Sequence, residues 1–213
     1  MHLAISAHKK QSYYSEAKEI EVSLRLLTLA DKNNVRKWMA DPYIVQLTFV
    51  VPGPGNVSAL PFSSAAADQY LNILISEPTR MTFAIEANGI HVGNIGLKEY
   101  NPARGTSEIF IEVGEADFRG KGVGKAAISI LMDYAFFSLG LNEVRLEVLE
   151  FNNIAIRTYR TLGFERTHRA GWHYDPHGQY WQVWGMCLTR DAWRTRRNGV
   201  MSPNIRAVTL DSL

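Results

Sequence analysis

The stretch "FRGKGVGKA" (residues 118–126) places three glycines and three basic side chains in nine positions, directly before a long apolar-periodic segment. Gly120, Gly122 and Gly124 carry no side chain, so backbone N–H groups from Arg119 through Val123 and Gly124 can face a ligand at the helix start. Those amides and the positive end of the helix dipole make an anion site. Arg119, Lys121 and Lys125 add charge. The chemistry this suits is binding of a pyrophosphate without a metal ion. The alternative is a glycine-rich turn with a solvated basic edge.

Two other glycine loops fit less well. A phosphate loop of the type G-x-x-x-x-G-K-[ST] would align on Gly124 and Lys125. It then meets Arg119 at its first glycine and Ala126 at the hydroxyl residue that should hold magnesium. A dinucleotide loop, G-x-G-x-x-A, matches Gly122, Gly124 and Ala127, with Glu147 or Glu150 at the spacing of a ribose contact. Its first glycine should follow a strand directly, but "EADFR" intervenes.

Other chemistry-bearing residues are sparse. His168, His173 and His177 lack metal-ligand spacing and predict solvated or core histidines, with no metal site. Cys187 is the single cysteine, so no internal disulfide is possible, which fits a reducing compartment. With 23 Lys+Arg against 21 Asp+Glu there is no basic excess of the kind a nucleic-acid binder carries. No apolar run approaches a membrane span, and "MHLAISAHKK" is too short for a signal-peptide core. The expectation is a cytoplasmic protein with neither a nucleic-acid nor a membrane partner.

The elements that must position the loop follow from periodicity. "EVSLRLLT" (21–28) alternates as a strand. "LADKNNVRKWMA" places Val35, Trp38 and Met39 at helical spacing, and "DPY" (41–43) stops that helix. A turn-rich loop (50–62) follows, with three prolines and two glycines. "SSAAADQYLNILIS" predicts a helix capped by Ser63 or Ser64. Strands are predicted at 81–87, 91–100 and 106–114, the first two joined by the hairpin pair Asn88-Gly89. Ile128, Leu131, Met132, Ala135, Phe136 and Leu139 mark an amphipathic helix that ends at Gly140. "EVRLEVLE" (143–150) is a strand, and 152–164 a helix opened by Asn152 and closed by Gly163. Two strands around the turn "DPHG" (175–178) finish the pattern. Residues 1–19 predict an N-terminal arm, 20–193 one domain, and 194–213 a solvated C-terminal tail. Hairpins followed by a strand–helix–strand unit imply a mixed, mostly antiparallel sheet with one parallel pair.

Strand "SEIFIEVG", loop "EADFRGKGVG", the long helix, "RLEVLE" and "NNIAIRTYRTLGF" together resemble the GNAT acetyltransferases. Arg119, Gly122 and Gly124 fill their [RQ]-x-x-G-x-[GA] loop. Asn152, Ala155, Ile156, Tyr159, Gly163 and Phe164 fill the later N-x-x-A-[IL]-x-x-Y-x-x-x-G-F segment. "WMADPYI" and "GQYWQVWGMCLTRDAW" look like the ribosomal-protein N-terminal (Rim-type) branch.

The resemblance implies an α/β (α+β) GNAT fold, a twisted mixed sheet flanked by helices, whose parallel strand pair splays to hold acetyl-CoA, with no metal. Ile111, Glu112 and Val113 would line the pantetheine arm, and the Val113 N–H would stabilise the oxyanion. Residues Arg119, Gly120, Lys121, Gly122, Val123, Gly124 and Lys125 would hold the pyrophosphate. Asn152 and Ile156 would border the pantetheine. Tyr159 would be the acid that protonates the departing thiolate. The base is Glu147, Glu112 or a water. The implied reaction is acetyl transfer to a primary amine: a protein N-terminus, an amino sugar, nucleotide sugar or aminoglycoside, or a polyamine. A catalytically silent acyl-CoA-binding subunit is the alternative, and a homodimer is compatible with the resemblance.

Overall fold

The computed structural model describes residues 19–47, 63–174, 179–199 and 205–207. The predicted arm to residue 18, the Pro/Gly loop 50–62, the turn 175–178 and His177 lie outside the described residues. Strand β1 (Ile20–Leu26) is followed by a short 3-10 turn (Leu29–Asp31), α1 (Lys32–Met39) and α2 (Pro42–Leu47). Helix α3 (Ser64–Ser76) leads into β2 (Met81–Ala87), β3 (Ile90–Asn101) and β4 (Thr106–Val113). The chain then builds α4 (Val123–Asp133), β5 (Glu143–Leu149), α5 (Asn153–Leu162), β6 (Glu165–Tyr174), β7 (Tyr180–Thr189), α6 (Arg190–Arg196) and β8 (Ile205–Ala207).

Eight strands form one sheet in the order β6-β7-β5-β4-β3-β2-β1-β8. The hairpin β2–β3 turns at Asn88 (φ 53) and Gly89 (φ 75), the left-handed pair that matches strand twist. A parallel pair needs a long crossover, and α4 supplies it between β4 and β5. Its buried residues, Val123, Ala126, Ala127, Ile128, Ile130, Leu131 and Met132 among them, join β1, β3 and β5 in the larger core. The final turn widens to a π-helix over Tyr134–Ser138, and Gly140 (φ 70) ends it. On the opposite face, α1 and α3 cover Ala84 and Phe110 through Val35, Met39, Ala67, Leu71 and Leu74.

Three elements depart from the sequence reading. The predicted stop at "DPY" holds, but α2 begins there at once, with Asp41 Oδ1 accepting from the Tyr43 amide and Pro42 at the first helical position. Beyond Thr189, α6 packs Trp193 into the core. Residues 205–207, expected within a solvated tail, pair parallel with β1 and bury Ile205 to 7% exposure. Their apolar side chains close the sheet edge beside α4, and this adds a second parallel pair.

Candidate active site

The β4–β5 pair is hydrogen-bonded only from Thr106↔Glu143 to Glu108↔Arg145. Beyond Glu108, β4 runs on to Val113 along β3, and β5 runs on to Leu149 along β7. The two strands fork, and a gap opens between Ile109–Val113 and Leu146–Leu149. The predicted residues Ile111, Glu112 and Val113 lie on one edge of this gap.

The glycine loop follows β4 through a 3-10 turn (Ala116–Phe118). Gly120 (φ 71) and Gly122 (φ 89) hold left-handed backbone, and Gly122 is the N-cap of α4 with no side chain capping it. The amides from Gly120 to Lys125 donate to no acceptor among the described residues. Space beyond the Gly120 Cα is open. Unused N–H groups on a helix N-terminus fit a pyrophosphate. Arg119 plays a different part from its neighbours. Its amide donates to the Ala116 carbonyl, its Nε to the Val113 carbonyl at 2.9 Å, and its Nη2 to the Gly114 carbonyl and to Asp41. Its guanidinium stacks 4.7 Å from the Tyr43 ring centroid. Arg119 therefore ties the end of β4 to Asp41 and α2, while Lys121 stands 5.9 Å from the Phe118 ring centroid and neither Lys121 nor Lys125 has an ion pair among the described residues.

Asn152 caps α5, its Oδ1 accepting from the Ala155 amide at 3.1 Å. Ile156 and Tyr159 face the larger core from α5. The Tyr159 ring meets Phe164 edge-on at 5.7 Å. Its hydroxyl has no hydrogen-bond partner among the described residues and is absent from the sealed polar atoms, so it keeps contact with solvent. Burial pushes the phenol up to about 12.

The two candidate bases occupy different surroundings on the same sheet face. Glu112 is 6% exposed; Asn94 Nδ2 donates to its Oε1 at 2.7 Å, and its Oε2 has no partner among the described residues. Burial drives its carboxyl up to about 7, against the pull of the Asn94 bond. Behind Asn94 stands His91, whose Nε2 lies 3.0 Å from the Gly93 carbonyl and from Asn94 Oδ1. Both are acceptors, so that nitrogen carries a proton. His91 Nδ1 meets Asn34 at 3.1 Å and Asp31 at 3.3 Å, and Arg25 holds Asp31 through two hydrogen bonds. Glu147 is instead exposed, in a groove of about 550 Å³ at the vertex of the fork. Four carboxylates line this groove, those of Glu99, Glu108, Glu143 and Glu147, against the single guanidinium of Arg145. Glu108 is paired with Lys98 at 2.6 Å and Glu143 with Arg145 at 2.5 Å. Glu99 and Glu147 have no ion pair among the described residues. Burial, then the Glu108 charge, raises the Glu147 carboxyl, while Lys98 and His168 pull it down.

The chain matches the acetyltransferase (GNAT) domain over residues 21–165. It belongs to the GNAT acetyltransferase family.

Among GNAT relatives, spermidine N(1)-acetyltransferase of Escherichia coli K12 is 31% identical over 114 residues, 54% of this chain and 61% of that enzyme. The chain thus spans about three fifths of that relative's length. The crystal structure of spermidine N-acetyltransferase from Vibrio cholerae in complex with CoA and spermine superposes with a TM-score of 0.69. It is 22% identical and covers 81% of this chain and 98% of that one. A dodecameric structure of the V. cholerae enzyme gives 0.66 at 21% identity, covering 82% and 97%. These two likenesses are of GNAT fold. The sequence reading missed the Asn94–His91–Asp31 chain and the His168–Gly185 side of the groove, because both depend on strand register. The alternation of Glu143, Arg145 and Glu147 was the available signal that β5 presents a charged face.

Proposed function

We propose that this chain is an acetyl-CoA-dependent N-acetyltransferase whose acceptor is a linear polycationic amine. The observation that carries the reading is the fork between β4 and β5, with unused amides at its mouth and an acidic groove at its vertex. When bound, acetyl-CoA supplies an acetyl group activated as a thioester. The Gly120–Lys125 amides take the pyrophosphate, with Lys121 and Lys125 adding charge. Backbone of Ile111, Glu112 and Val113 lines the gap, and the Val113 N–H polarises the acetyl carbonyl. Asn152 and Ile156 border the pantetheine from α5, and Tyr159 donates a proton to the leaving thiolate.

Glu147 is the exposed carboxylate of the two, since Glu112 is 6% exposed and its Oε2 is sealed from solvent. Two unpaired carboxylates in one groove suit a molecule with several ammonium groups. A protein N-terminus, the acceptor implied by the Rim-type flanks, brings one ammonium and would use only part of that lining. The spermidine N(1)-acetyltransferase relative supports the polyamine reading, and the dodecameric V. cholerae relative supports self-association, which light scattering measures.

The test is free-thiol release from acetyl-CoA with spermidine, spermine, peptides bearing free N-termini and an aminoglycoside. Polyamines should give the highest kcat/KM. A peptide or aminoglycoside turned over faster would replace the polyamine, and no release with any amine would leave a silent acyl-CoA-binding protein.

A further inference from the structure

Glu147 on β5 and His168 on β6 are both in register with the same residue of β7, Gly185. Directly opposed residues of antiparallel strands share a face, so the three form a row across the groove floor. The middle position has no side chain, and the imidazole fills the space one would take. A Cβ on Gly185 would stand 2.5 Å from His168 Cε1 and 2.9 Å from Nδ1. His168 Nδ1 lies 2.9 Å from Thr167 Oγ1. All four residues line the groove at the vertex of the fork. Glu147 and His168 make no direct ion pair and line one groove, so a cationic nitrogen in that groove can meet both.

We propose that His168 is the proton acceptor for the amine substrate, with Glu147 docking the ammonium and Gly185 kept bare so that the imidazole can lie across β7. The proposal rests on the acetyltransferase reading above. A carboxylate is a poor acceptor for an ammonium proton because its basicity is too far from that of an amine. An imidazole changes charge between about pH 5 and 8, closer to the optimum for proton transfer. With Nδ1–H donating to the Thr167 hydroxyl, the lone pair is on Nε2, in a side chain that lines the groove. The ammonium gives one proton to Nε2, and the freed nitrogen lone pair forms the bond to the thioester carbonyl carbon. The C–S bond breaks, and the thiolate takes the Tyr159 proton. The second proton leaves the new amide nitrogen for the Tyr159 oxygen, and His168 releases its proton to solvent. The charged groups facing His168 are Glu143, Arg145 and Glu147 from β5, Glu108 from β4, and Lys98 and Glu99 from β3, with Cys187 on β7. Arg166 and Arg169 turn to the other face, against Trp184.

The test is kcat against pH for the full chain with acetyl-CoA and spermidine, comparing wild type with His168→Gln and Gly185→Ala. The second variant removes no functional group; its methyl displaces the end of a flexible side chain. Both should lose on the order of 100-fold in kcat at pH 7. Both should also lose the acidic limb of the profile, and acetyl-CoA affinity should be unchanged. The double variant should lose no more than either single one. A loss below tenfold in His168→Gln, or an unaltered acidic limb, overturns the assignment. A wild type that releases no thiol with any amine overturns the acetyltransferase reading and this one together. Wild-type turnover with unaffected variants overturns this one alone.

Discussion

Asn94 holds one oxygen of Glu112 with a 2.7 Å hydrogen bond and leaves the other, sealed from solvent, without a partner among the described residues. A carboxylate in that position is costly, because desolvation is only partly offset by one amide donor. The folded-state value of about 7 lies above the ordinary one of about 4.3. Between these values the folded chain keeps a proton that the unfolded chain has released. Stability therefore falls as pH rises through that window, and the cost stays in full above it. Glu112→Gln removes the titration. Relative to wild type the variant should gain roughly 2–3 kcal/mol between pH 4.5 and pH 8. Urea unfolding at the two pH values measures this; an equal difference at both would show that Glu112 does not titrate in the fold.

Gly114 carries the opposite kind of constraint, one of space. A Cβ there would stand 2.1 Å from Trp38 Cδ2 and 2.2 Å from Cε2. Trp38 cannot yield easily: it is 1% exposed, its Nε1 donates to Glu115 at 3.0 Å, and its ring meets His91 edge-on at 4.8 Å. Gly114→Ala should cost about 1–3 kcal/mol by overpacking. The Gly114 carbonyl also accepts from Arg119, so the shift should reach the glycine loop and weaken acetyl-CoA binding. An unchanged denaturation midpoint would mean that Trp38 finds a second position.

Local signals made the glycine loop, its helix and the Asn152–Phe164 segment legible. Gly122 and Gly163 are left-handed where helix ends need them, and Ile156, Tyr159 and Leu162 lie at helical spacing. What stayed hidden depends on pairing between distant segments. Three residues cannot show a strand period, so β8 read as tail. The His168–Gly185 contact depends on the β6–β7 register, which shifts twice, between Arg166 and His168 and between Arg169 and Gly171. The sequence placed Arg119 in the loop but not the direction of its guanidinium, which turns back to carbonyls that only the folded end of β4 presents.

The anion site can be tested by charge at fixed strain. Gly122 holds φ 89 at the N-cap of α4, so any L-residue there is strained by about 1–2 kcal/mol. Gly122→Ala and Gly122→Asp share that strain, but only the second sets a carboxylate among the unused amides. Acetyl-CoA should bind the Asp variant more than about tenfold more weakly than the Ala variant, a difference of roughly 1.4 kcal/mol or more. Isothermal titration calorimetry compares the two. Equal affinities would move the pyrophosphate away from this loop.

Tyr159 permits a clean separation of chemistry from folding. Its hydroxyl has no hydrogen bond to lose among the described residues, and the ring, edge-on to Phe164, is the same in phenylalanine. Removing an unpartnered hydroxyl is near neutral for stability. The phenol at about 12 keeps its proton throughout the working pH range, and a free thiolate, near 8.5, is a weaker base than its phenolate. Donation must therefore accompany C–S cleavage, with the phenolate recovering its proton from the amide nitrogen. Tyr159→Phe should lower kcat by roughly 100-fold while acetyl-CoA affinity and thermal midpoint stay unchanged. Because the phenol does not titrate below about pH 11, the variant should lower kcat by the same factor from pH 6 to pH 9. Turnover equal to wild type would remove Tyr159 from the reaction, and a loss confined to high pH would assign it the role of a base instead.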